Sequence, residues 1–143
     1  MKERAEDRSR TMRAVKGKNT APELAVRHLV HGLGYRFRLH RADLPGKPDL
    51  VFSGRRKVVF VHGCFWHGHL CTRGNRIPKA NTDYWRAKIK RNRARDATNA
   101  IKLKAGGWRV LVIWECELKN LAVVRGLLSQ FLRQSRGSMS KVR

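Results

Sequence analysis

Negative charge is what this chain lacks most. Ten aspartates and glutamates face thirty-three lysines and arginines, a formal charge of +23. Self-repulsion at that level disfavours a compact state unless a polyanion offsets it, which points to nucleic acid as the partner. Either the chain merely coats nucleic acid, as a ribosomal protein does, or it acts on it. Cysteine is also sparse: three thiols at 64, 71 and 116 cannot all pair within one chain, which argues against a secreted disulfide framework and for ligands in a reducing cell. Long hydrophobic runs are missing. None approaches the roughly 18 residues of a membrane span, and the opening MKERAEDRSR has no apolar core of a signal peptide. The expected location is the cytoplasm, in association with the nucleoid, with no membrane partner.

What remains suffices for one domain. A hydrophobic fraction of 41% in 143 residues is compatible with a modest single core. Residues 1–19 hold seven basic side chains and little apolar beyond Met12, Ala14 and Val15, as expected of a flexible DNA-binding arm. Residues 20–134 read as the folded domain and 135–143 as a polar tail. T-A-P-E at 20–23 is a helix start, with a capping threonine three residues before Glu23 and proline in the first turn. Leu24, His28 and Leu29 then predict the apolar side, and Gly32 and Gly34 the stop. YRFRLH (35–40) alternates as a half-wet strand does. A turn at Pro45-Gly46 leads to a short strand from about Asp49, and KVVFV (57–61) reads as its buried hairpin partner. Thr82 and Asp83 predict the cap of a long helix to about Lys104, with Trp85, Ile89, Ala100 and Leu103 inward. WRVLVIW (108–114) is a second apolar strand, and an amphipathic helix follows from about Leu118 to Leu132. The sum is a small mixed sheet flanked by helices, an α/β fold.

The segment VHGCFWHGHLC (61–71) concentrates soft donors. Cys64-x4-His69-x-Cys71 can curl round a tetrahedral ion, and Cys116, just past the strand 108–114, is the available fourth ligand if that strand and 57–61 run parallel. Three thiolates and one imidazole favour Zn²⁺ in a closed, structural site. The competing reading is buried free cysteines, common in cores.

Asp49, after Pro48 at a strand start, resembles the single carboxylate with which a twisted nuclease hairpin holds Mg²⁺. The usual acid-x-lysine on the next strand is absent, since that strand reads VVFVH. Carboxylates being short, the carbonyl of Val61 is the candidate second oxygen ligand and Glu23 the candidate holder of water. His62 and His67 titrate near neutrality and can serve attack or leaving-group protonation. Equally, Asp49 could cap a turn and His62 could be a satisfied core residue. His28, His31 and His40 show no pairing pattern and are expected on the surface, as are Glu115 and Glu117. Phe65 and Trp66, with Trp85, can stack on or wedge between bases, and Met12 can do so from the opposite groove. Trp108 and Trp114 belong to the core. Cations at 54–57, 73–79 and 86–95, the last stretch with six positive charges, are expected on phosphates.

Together N-T-A-P-E, PGKPDLVF, VVFVHGCFWHGHLC and GWRVLVIWEC, from about Arg8 to Cys116, closely resemble the very-short-patch mismatch repair endonucleases, the Vsr family. The resemblance implies a restriction-endonuclease-like fold with one structural zinc, in a bacterial cytoplasm. It implies Mg²⁺-dependent nicking of one strand of double-stranded DNA beside the thymine of a T·G mismatch, in repair of deaminated 5-methylcytosine. Asp49 matches the Mg²⁺-binding aspartate; Glu23, His62 and His67 match residues round the scissile phosphate. Cys64, His69, Cys71 and Cys116 match the zinc set. Phe65, Trp66 and Trp85 match inserted rings, and Met12 matches a residue of the minor-groove arm. Val61 stands where the familiar pattern has threonine, which a main-chain ligand tolerates. A monomer is expected, with mismatch repair proteins as further partners. The readings from other classes are a general Mg²⁺ nuclease and a zinc-stabilised DNA-binding module without chemistry.

Overall fold

Two apolar runs with few charges form adjacent parallel strands, and everything else is arranged about them. The computed structural model describes residues 20–69, 71 and 77–134. In chain order these form α1 (Ala21–Gly32), β1 (Arg38–Leu39), β2 (Leu50–Phe52), β3 (Lys57–His62), α2 (Thr82–Ala105), β4 (Arg109–Trp114) and α3 (Leu121–Arg133). The sheet order is β1-β2-β3-β4. β1 to β3 are antiparallel neighbours, whereas β3 and β4 run parallel from Lys57↔Arg109 to His62↔Trp114. Met12, the 1–19 arm, most of the cations at 73–79 and the 135–143 tail lie outside the described residues.

Strand alternation divides the core into two layers. Val59, Leu111 and Ile113 face one way, against Val26 and Val30 of α1 and Val124, Leu128, Phe131 and Leu132 of α3. Val58, Val110 and Trp108 face the other way, against Leu103 of α2, with Phe60 and Val112 at the margin. The mixed sheet is thus covered on both faces.

Local chemistry sets the ends, and several expectations shift. Thr20 Oγ1 accepts from the Glu23 amide at 3.4 Å, but α1 buries Val26 and Val30, while Leu24 is 48% exposed and His28 is exposed. The i, i+4 pair of β-branched residues takes the core position expected of Leu24 and His28; Leu29 packs only at its margin. Of YRFRLH only Arg38 and Leu39 pair as a strand, although Tyr35 and Phe37 do turn toward the core. Asn81, left-handed at φ 58°, precedes α2, and Thr82 is its first residue; the Thr82 hydroxyl donates back to Lys79 O at 2.9 Å. A single turn at Glu115–Lys119 separates β4 from α3, so the last helix begins at Leu121.

Of the cations at 54–57, Lys57 is not on the surface to meet phosphate, while Arg55 is exposed and Arg56 half-buried. Lys57 is fully buried and its ammonium donates to the carbonyls of Phe131 (2.6 Å), Leu132 (3.2 Å) and Gln134 (2.5 Å). These are the orphan acceptors at the C-terminal end of α3, where a cation also meets the negative end of the helix dipole. Burial, with Arg109 and Arg55 nearby, pulls the ammonium down to about 8, still protonated at neutrality. Arg55 donates to Leu132 O and Arg56 to Gly106 O, each guanidinium also lying over a ring, Tyr35 and Trp108 respectively. The three side chains pin the helix ends to the start of β3. Lys57→Met leaves three carbonyls without their shared donor and should cost about 1–3 kcal/mol, measured by urea unfolding; a variant as stable as the parent would show the cap to be dispensable.

Candidate active site and metal centre

Because β3 and β4 are parallel and in register, their last residues, His62 and Trp114, lie side by side. The segments that follow carry Cys64 and Cys116 to one place. Ligand atoms of Cys64, His69, Cys71 and Cys116 all fall within 4.8 Å of one another, with Cys116 Sγ 3.5 Å from His69 Nδ1. Donors about 2.0–2.3 Å from a tetrahedral ion stand roughly 3.5–4 Å apart, so the set fits zinc. Burial pushes the Cys64 thiol up to about 12 and raises Cys116 as well, so both stay protonated unless a cation compensates the thiolate charge. The Cys116 amide points at Cys64 Sγ (3.4 Å), and the imidazole of His69 stacks on Trp114 at 4.1 Å. Trp114, expected in the core, is half-buried and belongs to neither core layer; it is the wall of this cluster.

The turn is closed by its own backbone, with His67 N donating to Gly63 O (3.2 Å) and His69 N to Cys64 O (3.0 Å). Gly68, at φ +63°, is required twice: its conformation is left-handed, and a Cβ there would lie 2.6 Å from Ile89 Cγ2 of α2.

On the cleft side, Asp49 lies just ahead of β2 and level with the end of β3. Its Oδ2 accepts from the Val61 amide at 2.7 Å. Burial, together with the negative charge of Glu23, pushes its carboxyl up to about 6 against the lowering effect of that amide. Glu23, 2% exposed, is paired with Arg27 one helical turn on, and its Oε2 lies 2.9 Å from His40 Nε2. His40 is therefore no surface residue. It faces Asp49 across the β1–β2 ladder, donating its amide to Asp49 O (3.3 Å), and its Nε2 is 3.9 Å from Asp49 Oδ1. Glu23, His40 and Asp49 form a second group of potential ligands. Two carboxylates and an imidazole, with one carboxyl destabilised in its ionised form, fit a divalent cation.

His62 and His67 stack face to face at 3.8 Å, 3° from parallel. Burial and the neighbouring His67 pull His62 down to about 4, which keeps it neutral. His67 Nδ1 is 2.5 Å from Asp96 Oδ2, an orienting pair that leaves Nε2 toward the cleft. Asp96, on α2, is not among the site residues expected from the sequence, although it is the single acid between Tyr84 and Trp114. Such isolation in a cationic helix was the available signal.

These residues line one cleft of about 620 Å³, together with Val61, Phe65, Trp66, Asn92, Arg95 and Glu115. Phe65, Trp66 and Trp85 cluster with ring centroids 5.1–5.9 Å apart, and Tyr84, 52% exposed, extends the cluster at 5.1 Å from Trp85. Asn92 Nδ2 donates to Trp66 O (2.8 Å) and so holds the aromatic turn on α2. Arg86, Lys90, Arg91, Arg93 and Arg95 are exposed along the same helix, a cationic flank to the cleft. Glu115 and Glu117 are not simply solvated: Glu115 Oε1 accepts from Cys64 N (3.4 Å) and Glu117 Oε1 from Trp114 N (2.9 Å).

A cleft of carboxylates and an acid-oriented imidazole beside a thiol cluster that fits zinc, flanked by rings and cations, is suited to a nuclease. The family profile described as DNA mismatch endonuclease Vsr matches residues 2–73, and the chain belongs to that family. It is 55% identical to the type II nicking enzyme V.XorIIP of Xanthomonas oryzae pv. oryzae over 130 residues, covering 91% of this chain and 95% of that protein. The type II nicking enzyme V.NmeAIP of Neisseria meningitidis is 46% identical over 127 residues, 89% of this chain and 90% of that protein. The DNA mismatch endonuclease Vsr of Escherichia coli is 44% identical over 113 residues, 79% and 72% respectively. This chain is accordingly a Vsr-family endonuclease that nicks DNA, and no helix among the described residues is long and apolar enough to cross a membrane.

Two measurements follow from the donors. Cys116→Ser should reduce bound zinc below one equivalent, by elemental analysis, and lower Tm with it, because a structural metal contributes folding free energy; unchanged stoichiometry would exclude Cys116 from the set. Protons should compete for Asp49, so divalent-cation affinity by calorimetry should fall about tenfold per pH unit below about 6. In the cation-free protein folded Asp49 binds its proton more tightly than unfolded Asp49, so its contribution to stability declines as pH rises from 3.8 to about 6.

Proposed function

We propose that this chain is a Mg²⁺-dependent, strand-specific mismatch endonuclease that nicks duplex DNA beside the thymine of a T·G pair, serving very short patch repair of deaminated 5-methylcytosine. The observation that carries the reading is the meeting of Asp49, Glu23 and the His67–Asp96 pair in one cleft that continues into the Phe65–Trp66–Trp85 cluster. The mixed sheet with helices on both faces is consistent with a restriction-endonuclease-like fold. The name of the E. coli relative, a mismatch endonuclease, supports the T·G assignment.

Asp49 and the Val61 carbonyl would hold the Mg²⁺, with Glu23 beside them. A divalent ion bound there supplies charge neutralisation at the phosphate and makes a water molecule more acidic. His67 donates Nδ1–H to Asp96, so Nε2 is the acceptor for the proton of the attacking water. His62, held neutral by burial, offers an N–H to the phosphate without carrying a charge. Arg27 fixes the Glu23 carboxylate, which keeps its charge directed at the cleft. Cys64, His69, Cys71 and Cys116 would hold zinc as a four-ligand set, and the ion would then lock the turn that bears His67. The rings of Phe65, Trp66 and Trp85 offer flat apolar edges for a base-pair step, and a T·G pair, being less stable than a matched pair, costs less to unstack. The arm with Met12 would enter from the opposite groove. The α2 cations supply phosphate contacts that position the duplex without reading sequence.

The test is Mg²⁺-dependent nicking of duplexes that differ only in T·G versus C·G. The T·G duplex should be cut in one strand beside thymine, and Asp49→Ala should abolish cutting while retaining duplex binding by electrophoretic shift. Equal cleavage of both duplexes would instead identify a general nuclease, and a wild type inert on both would leave a zinc-stabilised binding module.

A further inference from the structure

Asp49 and Glu23 are joined by a third donor that the reading above does not use. His40 Nε2 sits between the two carboxylates, 3.0 and 2.9 Å from the Glu23 oxygens and 3.9 Å from Asp49 Oδ1. Cis donors on an octahedral ion with bonds of about 2.1 Å stand roughly 3 Å apart, close to the spacing found here. The Glu23 charge is already answered by Arg27, so His40 is not needed as its counter-ion. Nor is the placement of His40 incidental. Its backbone is left-handed at φ 48°, a conformation uncommon outside glycine, and its amide is tied to Asp49 O, so the imidazole is fixed to the same backbone that carries the aspartate. The side chain is 13% exposed and faces the cleft, where an incoming ion would arrive.

We infer that His40 is a direct nitrogen ligand of the catalytic divalent cation, giving this site a mixed imidazole–carboxylate set that prefers Mn²⁺ or a similar transition ion to Mg²⁺. The inference rests on Asp49 holding that cation, as proposed above. Imidazole suits first-row transition ions, whereas Mg²⁺ is bound chiefly through oxygen. An all-oxygen pair of carboxylates shows a smaller preference of this kind; adding one nitrogen widens it. His40 thus sets which metal loads the cleft, and the Val61 carbonyl and water complete the shell.

The test uses full-length, zinc-replete protein titrated with Mn²⁺ and, separately, Mg²⁺, read by calorimetry and by three-pulse electron spin-echo modulation of the Mn²⁺ signal. Wild type should show ¹⁴N modulation from a coordinated imidazole. His40→Gln and His40→Ala should lose it, with Mn²⁺ affinity falling about 10–100-fold, the range for lost metal-site partners, and Mg²⁺ affinity falling less. Circular dichroism and zinc content establish that each variant is folded. Asp49→Ala separates the two levels. If it leaves Mn²⁺ binding intact, the ion is not in this cleft and the underlying assignment fails along with the inference. If Asp49→Ala abolishes binding while the His40 variants keep the ¹⁴N modulation or the Mn²⁺ preference, His40 only hydrogen-bonds Glu23 and the inference alone is overturned.

Discussion

The parallel pairing of β3 with β4 is the constraint on which the site depends. It brings the two strand ends level, so the chain leaving one and the chain leaving the other must share a small volume. Cys64 and Cys116 meet there, fifty-two positions apart, and the turn they close holds His67 over His62. On the other flank of β3, antiparallel pairing brings Asp49 beside the Val61 amide. One strand therefore separates a soft-donor cluster from a hard-donor one. Such a separation would let thiolates retain a borderline ion such as zinc while the carboxylates take a harder one.

The scarcity of acids shapes the rest. Glu23, Asp49, Asp96 and Glu115 all border the cleft, so much of the available negative charge is concentrated where a cation or an imidazole needs it. On the proposed reading the same cleft accepts a phosphodiester, and the exposed cations along α2 would offset that repulsion. Positive charge, by contrast, is plentiful enough to serve inside the fold. Lys57 caps α3 from within the core, an arrangement that an exposed lysine could not provide.

Much of this was legible in the chain. The two apolar runs, the Cys64-x4-His69-x-Cys71 spacing and the P-D step before β2 each carry a local physical meaning. The parallel register follows once Cys116 is required to join the other thiols. His40 was not legible, because its contact with Glu23 spans seventeen positions and depends on a left-handed residue between two short strands. Lys57 was misread as a surface cation because a lysine beside two arginines looks like a phosphate grip; only the arrival of the α3 end over β3 makes it a cap. Asp96 belongs to a helix with so few buried positions that its face cannot be deduced from periodicity. In each case the deciding neighbour comes from a distant element, while the local pattern is neutral or misleading.

The absence of a side chain at Gly68 lets the 63–69 turn nest against Ile89 and Arg93 of α2. Since Asn92 and Asp96 of that helix also hold Trp66 and His67, the turn and the helix are tied together at three places. On the reading proposed above, a duplex held along the helix would bear on the same body that carries the imidazole.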